Sequence, residues 1–366
     1  MAECIQDATA SIPSRWSRLL QAKALRIAAS LGHSLQHYAC PMAPSPSKTE
    51  YIDATFGSAQ SKRAIRLDIY SPPEPKVESE HESSSNNPKF SSTERPCLMI
   101  FHGGGFVIGQ GTDDARFAQA AMSKLGAVVV GISYRLAPEY PFPIPVEDCV
   151  SSILHIATDD NAARYGIDRD TIILSGFSAG GNLALASLHL LHSLKSPTLN
   201  PNEWGYTIPV GSGIEIPNIR GIILFYPLLD YTIPREIKTQ NLPRPEYALP
   251  ASLTQLFDAS YLPRSQGDAR GVALVDRRDI RLSPALASDE LVKALPPVWV
   301  TVCEHDMLRQ EGLDFANRLK SLGKKVGLSE VQGEKHGWDK PPPISPKASV
   351  LEEYNKALDA ARMWLA

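Results

Sequence analysis

The feature that most constrains the fold is an alternation of short apolar segments with helix-like segments along residues 97–365. Short strands that are almost continuously apolar are typical of a sheet buried on both faces. When helices connect such strands, the sheet is mostly parallel and helices cover both of its faces. We therefore predict an α/β fold, with strands at 97–101, 127–132, 171–174, 222–226, 298–302 and 326–331 and helices at 113–125, 146–158, 179–194, 310–322 and 350–365.

Composition shifts divide the chain further. Residues 64–70 alternate apolar and charged side chains, as a half-buried strand does, whereas residues 71–96 are rich in Pro, Glu, Ser and Asn. We interpret residues 71–96 as a flexible insertion. Residues 228–262, rich in Pro and aromatic side chains, are predicted to be a cap or lid. The predicted domains are an N-terminal helical cap segment, residues 1–50, and a catalytic domain, residues 51–366.

Residues 14–37 predict an amphipathic helix that packs its apolar side on the body of the protein. Weak contact with a membrane surface, or a mitochondrial transit peptide, is the alternative. Apolar residues recur at helical spacings in this segment, at Leu19, Leu20, Ala24, Ile27, Ala28, Leu31 and Leu35.

Charge and cysteine content exclude several classes of protein. The 37 basic and 40 acidic residues give a net charge of −3, which does not indicate binding of nucleic acid. No N-terminal apolar run is long enough for a signal peptide or a membrane span, so we expect no stable membrane insertion. The five cysteines are far apart and form no C-x-x-C pair, which favours free thiols and a cytoplasmic protein.

The segment around Ser178 predicts a nucleophile. Gly176-Phe177-Ser178-Ala179-Gly180 follows a strand-like segment and precedes an Ala- and Leu-rich helix, which is the context in which G-x-S-x-G marks a catalytic serine. The sharp turn that lifts such a serine above the sheet needs small neighbours. A glycine-rich turn without chemistry is the alternative.

A second glycine-rich segment, Gly103-Gly104-Gly105, follows the strand at 97–101. Backbone N–H groups without a neighbouring Cβ are suited to bind a developing oxyanion, and Gly103, Gly104 and Ala179 are our candidates for these donors. A phosphate site is the alternative, but neither the Walker nor the dinucleotide pattern is present. We expect the ring of His102 to hydrogen-bond within the loop rather than act as a base.

A serine nucleophile needs a base, and the base needs a carboxylate to orient it. In this arrangement the chain order is Ser, then Asp or Glu, then His. Asp306 follows the strand at 298–302, and His336 lies in a loop before the last helix. Glu304 and His305 are the competitors in the first loop. We predict Asp306 as the acid and His336 as the base.

These motifs together resemble the hormone-sensitive-lipase-like carboxylesterases of the α/β-hydrolase fold, over residues 60–365. Within that family the sequence resembles fungal members. Further matches are Tyr134-Arg135-Leu136-Ala137-Pro138-Glu139, Tyr226-Pro227, Ser283-Pro284 and His336-Gly337-Trp338. The resemblance implies the triad Ser178, Asp306 and His336, the oxyanion donors named above, a helical cap and, as a family-level expectation, a homodimer. Phe177 departs from the Asp or Thr often found before the nucleophile. Phe106, Phe177 and Trp338 are predicted to line the substrate pocket.

The predicted function is hydrolysis of a small-molecule ester with a compact or short acyl group, with a secondary metabolite as one candidate substrate. Such chemistry requires no metal or organic cofactor. A lactonase, an amidase or an acyltransferase would use the same residues. A receptor that only binds its ligand is the alternative of another class, and it would be expected to lose a member of the triad.

Overall fold

The structure, a computed structural model, describes residues 14–39, 42–73, 94–195, 206, 215–240, 242–263, 275–340 and 345–366. Most of the 71–96 insertion predicted from the sequence, residues 74–93, lies outside these residues. None of the helices in the described ranges is long and apolar enough to cross a membrane.

An eight-stranded sheet with the order β1-β2-β4-β3-β5-β6-β7-β8 forms the centre of the described part of the chain. The pairs β1–β2 and β2–β4 are antiparallel, and every other pair is parallel. The predicted α/β fold is confirmed. The strands are β1 Lys48–Ala54, β2 Ser61–Tyr70, β3 Arg95–Phe101, β4 Val128–Ser133, β5 Ile167–Phe177, β6 Ile219–Phe225, β7 Val298–His305 and β8 Val326–Lys335.

Helices cover both faces of this sheet. On one face α2 and α10 enclose a core that includes Phe117, Phe225 and Tyr354. On the other face the core includes residues of α3, α5, α8 and α9. The helices are α1 Arg15–Ser34, α2 Ala115–Leu125, α3 Ile144–Ile156, α4 Asp159–Tyr165, α5 Ala179–Lys195, α6 Arg235–Gln240, α7 Ala251–Tyr261, α8 Asp289–Ala294, α9 Arg309–Ser321 and α10 Ala348–Leu365.

The predicted strands and helices are present, with small shifts at their ends. The largest extension is in β5, which begins at Ile167 rather than at Thr171. Strand β1 was not predicted because its first half, Lys48 to Glu50, is polar and lies at the edge of the sheet. An edge strand with one wet face has no continuous apolar signal.

Helix α1 is present as predicted, but the side of the helix that carries its large apolar residues faces solvent rather than the protein. Trp16, Leu20, Ile27 and Leu31 face solvent and are between 65% and 76% exposed. The inward side instead carries Arg26, which hydrogen-bonds the carbonyl oxygens of Val107 and Ala137 and both carboxylate oxygens of Glu139. The prediction that the apolar side packs on the body is therefore wrong for Leu20, Ile27 and Leu31.

The predicted cap segment, residues 228–262, contains α6 and α7. The ring of Phe257 on α7 lies directly against the glycine loop, since a Cβ placed on Gly105 would be 2.1 Å from that ring. Arg18 of α1 donates to the carbonyl oxygen of Ala259 at 2.8 Å, so α1 also contacts α7. The cap segment also contacts the body of the protein, because Lys238 of α6 forms a buried ion pair with Glu311 of α9. The division into domains stays a prediction.

Candidate active site

Ser178 occupies a sharp turn between β5 and α5. Its φ is 54°, in the left-handed region that non-glycine residues rarely adopt. The turn requires close backbone approach: a Cβ on Gly180 would lie 1.9 Å from the carbonyl oxygen of Phe101, at the end of β3. Glycine at this position therefore lets helix α5 start directly above the sheet, with Ser178 at the carboxyl edge.

The loops after β7 and β8 bring Asp306 and His336 to the same edge of the sheet. Because the two strands are parallel neighbours, with His305 paired to Lys335, the residues that follow them emerge side by side. His336 Nδ1–H donates to Asp306 Oδ2 at 2.6 Å, and His336 Nε2 is 2.8 Å from Ser178 Oγ. The three side chains thus form one continuous hydrogen-bonded chain.

Asp306 is well prepared to hold an imidazole. Its side chain is only 1% exposed, and its second oxygen, Oδ1, accepts the N–H of Leu308 at 2.9 Å. A buried carboxylate that accepts two hydrogen bonds has a fixed orientation. The side chain of His336 is 10% exposed, so solvent reaches little of the pair.

The competing residues Glu304 and His305, which the structure places at the end of β7, are directed elsewhere. Glu304 accepts the N–H of Gly333 at 2.7 Å, and the ring of His305 packs edge-on against Tyr247. The structure therefore brings Asp306, and neither of its neighbours, to His336.

The glycine loop lies beside Ser178. A Cβ on Gly103 would be 3.1 Å from the carbonyl oxygen of Phe177 and 3.4 Å from Ser178 Cβ. Ala179 is the first residue of α5, where N–H groups have no partner within the helix. Among the hydrogen bonds of the described loops and turns, none is donated by the N–H of Gly103, Gly104 or Ala179. These donors are free to bind an oxyanion.

The ring of His102 shapes this loop, as the sequence predicted. Its Nδ1 is 2.7 Å from the carbonyl oxygen of Gly103, and Tyr134 stacks on the ring with centroids 4.2 Å apart. The hydroxyl of Tyr134 donates to the carbonyl oxygen of His102 at 2.8 Å. Both contacts fix the backbone from which the glycine N–H groups project.

The three predicted pocket residues differ in their surroundings. Phe177 has no exposed surface, and its ring packs on Phe117 and Phe225 in the core below the sheet edge. Phe177 therefore contributes to this core, and its role in the pocket stays a prediction. Phe106 stacks on Tyr261 of α7, and Trp338 packs against Tyr226; both are largely buried, and their pocket role stays a prediction.

A cluster of polar side chains, most of them buried, adjoins His336, and little in the sequence indicates it. This cluster, which we call the Asp339 cluster, consists of Asp114, Tyr226, Asp339, Lys340 and Tyr354. Burial raises the pKa of Tyr226 well above its usual value, with Asp339 adding to the effect, so its hydroxyl remains a donor. Burial also raises the pKa of Asp114 to about 6, although Lys340 acts in the opposite direction. The only signal in the sequence is the charged pair Asp339-Lys340 directly after His336-Gly337-Trp338.

Comparison with known proteins decides the family. A family model described as alpha/beta hydrolase fold matches residues 98–340. The chain belongs to this α/β-hydrolase family.

Several relatives are named for ester or amide cleavage. The chain is 29% identical to arylacetamide deacetylase of Bos taurus, over 66% of this chain and 68% of that protein. It is 29% identical to neutral cholesterol ester hydrolase 1 of Rattus norvegicus, over 68% of this chain and 69% of that protein. The chain is also similar to a solved esterase from Pyrobaculum calidifontis, with 25% identity and a TM-score of 0.68. The match covers 96% of this chain and 99% of the esterase. The predicted enzyme class, a serine hydrolase acting on ester bonds, is confirmed.

Proposed function

We propose that the protein is a carboxylesterase that cleaves a compact or short-acyl ester with the triad Ser178, His336 and Asp306. One observation carries the proposal: Ser178 Oγ, the two ring nitrogens of His336 and Asp306 Oδ2 form a continuous hydrogen-bonded chain beside free backbone donors. A serine hydroxyl is a weak nucleophile alone, and this arrangement supplies the base that activates it.

In the proposed reaction, Ser178 Oγ attacks the ester carbonyl carbon while His336 Nε2 accepts the serine proton. Asp306 holds the imidazole with Nε2 toward the serine and stabilises the imidazolium that forms. The alcohol leaves with the proton returned by His336, and an acyl group remains on Ser178. Water, deprotonated by His336, then releases the carboxylic acid and regenerates the hydroxyl.

The glycine loop supplies the complementary electrostatic part. When the carbonyl oxygen becomes negative, the N–H groups of Gly103, Gly104 and Ala179 are the proposed donors; Gly103 lies against Ser178, and Ala179 follows it in the chain. Each such donor is worth on the order of 10²–10³ in rate, because it is oriented before the charge develops.

The acyl and alcohol groups are proposed from the surroundings and the relatives. The ring of Phe257 on the glycine loop leaves the cap close to the reacting atoms, which favours a compact substrate. Deacylation of a secondary metabolite by a fungal-type enzyme remains our proposal; the two curated relatives described above are mammalian. Since Cys97, Cys149 and Cys303 are buried free thiols, we place the activity in the reducing cytoplasm.

Amide cleavage is the second candidate, because one relative is named arylacetamide deacetylase. The same triad would attack an amide carbonyl, and His336 would protonate the departing amine. A lactonase or an acyltransferase would differ only in the nucleophile or substrate that the cap admits.

The test is hydrolysis of p-nitrophenyl esters of increasing acyl length by the wild type, Ser178→Ala and Ser175→Ala. Ser175 is a matched control, since it is fully buried on β5 three residues earlier. We expect Ser178→Ala to lower kcat by at least about 10³-fold and Ser175→Ala to remain active. We also expect preference for acyl chains of two to about six carbons, as an acyl site for compact esters requires. Full activity of Ser178→Ala, or a preference for long chains, would contradict the proposal.

A further inference from the structure

The loop after β8 places a buried carboxylate close to the proposed base. Gly337 has a φ of 69°, and the N–H of Lys340 donates to the carbonyl oxygen of Gly337 at 3.0 Å, which closes a tight turn. Asp339 therefore lies only three residues after His336 in the same turn. Its side chain has no exposed surface.

Three donors meet at this carboxylate, two from other elements and one from the same loop. Tyr226, directly after β6, donates its hydroxyl to Asp339 Oδ1 at 2.5 Å, and Tyr354 of α10 donates to Oδ2 at 2.6 Å. Lys340 Nζ is 3.1 Å from Oδ2 and also pairs with Asp114, at the start of α2. Hydrogen bonds to a buried charged group are short and strongly directional, so Asp339 ties the loop to Tyr226 and to α10. Lys340 of the same loop adds the contact with Asp114.

Tyr226 extends this attachment to His336. Its ring meets the imidazole edge-on, with centroids 4.8 Å apart and planes at 67°, and Trp338 packs on it at 5.5 Å. The backbone of Tyr226 is fixed as well, because its N–H donates to the carbonyl oxygen of Thr301 on β7 at 2.6 Å. With the phenol oxygen held by Asp339, the ring has little freedom to turn.

We propose that Asp339, acting through Tyr226, is a positioning residue that holds the imidazole plane of His336 in line with Ser178. Asp306 fixes the ring at Nδ1, but a single hydrogen bond leaves rotation about that contact. The ring of Tyr226 restricts this rotation from the side. Neither Asp339 nor Tyr226 touches the reacting atoms. This inference rests on the proposed role of His336 as the base.

Tyr354 separates positioning from a purely structural role. It donates to the same carboxylate at nearly the same distance and is equally buried. Its ring, however, packs on Phe117, Phe177 and Phe225, and no ring contact joins it to His336 among the described residues. Loss of the hydroxyl from Tyr226 or from Tyr354 should therefore destabilise the protein similarly, while only the first should disturb the base.

The experiment compares Tyr226→Phe with Tyr354→Phe in the 366-residue protein, using a p-nitrophenyl ester that the wild type hydrolyses. We expect Tyr226→Phe to lower kcat about tenfold or more with KM unchanged, because a small misplacement of a catalytic group costs rate rather than binding. Tyr354→Phe should keep kcat within about twofold of wild type. Its melting temperature should fall by about as much as that of Tyr226→Phe. Equal losses of kcat in the two variants, or no loss in Tyr226→Phe, would overturn the inference.

A second variant tests whether Asp339 acts through Tyr226. Asp339→Asn should lower kcat in the wild type and have no further effect in Tyr226→Phe, because coupled residues are non-additive. Independent, multiplying effects would overturn the proposed route. If Tyr226→Phe does not fold, Asp339→Asn compared with Tyr354→Phe decides the question by the same kcat criterion. Failure of the proposed function is distinguishable, since it would appear as full activity in Ser178→Ala.

Discussion

The loop that carries His336 and the N-terminal helix α1 are held against the protein in opposite ways. The loop is attached from inside by the Asp339 cluster, whose carboxylate and two phenols are buried. Helix α1 is attached by Arg18 and Arg26, which reach carbonyl oxygens and Glu139, while its largest apolar side chains face solvent. The His336 loop is therefore anchored by buried side chains, whereas α1 lies on the surface of the protein.

This difference separates the residues that would react from the elements that border the site. The atoms that would react belong to loops whose positions follow from the parallel sheet, so the distances among Ser178, His336 and Asp306 are set by the core. Helix α7 instead borders the glycine loop from outside through Phe257, and α1 contacts α7 through Arg18. A family with common machinery and varied substrates is expected to divide its structure in this way.

The largest effect should come from breaking the orientation of the base. In Asp306→Asn the side-chain amide can still accept the N–H of Leu308, but its NH₂ group would face His336 Nδ1. The imidazole would then carry its proton on Nε2, where it cannot accept the proton of Ser178. We expect kcat to fall by about 10³–10⁴-fold.

The control for that substitution is Glu304→Gln, which makes the same change two residues earlier. Glu304 contacts the backbone of Gly333 rather than His336. The kcat of Glu304→Gln should therefore stay within about threefold of wild type. Steady-state kinetics with circular dichroism of both variants is the measurement. Comparable losses in the two would mean that the loop, and not the acid, is what matters.

A smaller effect is expected from a glycine-to-alanine change in the glycine loop beside Ser178, with the same change in α1 as the comparison. In Gly103→Ala the new Cβ would press on the carbonyl oxygen of Phe177 and on Ser178 Cβ, so the glycine loop must shift. We expect kcat/KM to fall about 10²-fold, as when one oxyanion donor is lost.

In Gly32→Ala, on α1, the Cβ meets nothing within 4 Å. Activity should be unchanged, and helix propensity should add about 0.5–1 kcal/mol to the free energy of unfolding. Kinetics and urea denaturation of the two variants measure both quantities. Wild-type activity in Gly103→Ala would remove the glycine loop from the proposed mechanism.

The smallest effects test how α1 is attached. Arg26→Ala removes hydrogen bonds to Val107, Ala137 and Glu139, and we expect the free energy of unfolding to fall by about 1–3 kcal/mol. Leu20→Gln and Ile27→Gln change exposed side chains and should stay within about 0.5 kcal/mol of wild type. Urea denaturation of the three variants is sufficient. If Leu20→Gln were as costly as Arg26→Ala, the apolar side of α1 would be covered in solution.

The sequence predicted the sheet and the candidate site because both have local signals. Buried parallel strands are apolar throughout, and the turn at Ser178 requires glycine at Gly176 and Gly180. Chain order then indicated Asp306 and His336, which the structure brings within hydrogen-bonding distance of each other and of Ser178.

Features that depend on tertiary contacts were predicted poorly. Periodicity identified α1 but not which side faces the protein, because Arg18 and Arg26 find carbonyl partners that are distant in sequence. Phe177 precedes the nucleophile, but successive strand residues point to opposite faces, and its ring belongs to the core with Phe117. The Asp339 cluster joins residues 114, 226, 339, 340 and 354, and no local pattern connects them.

Covalent labelling is the decisive test of whether Ser178 is an activated nucleophile. A fluorophosphonate probe should react with the wild type at one serine, identified as Ser178 by mass spectrometry of the labelled peptide. The label should be absent from Ser178→Ala and much slower to form in His336→Ala, because the base is missing. A wild-type protein that hydrolyses esters but is not labelled at Ser178 would show that another residue is the nucleophile.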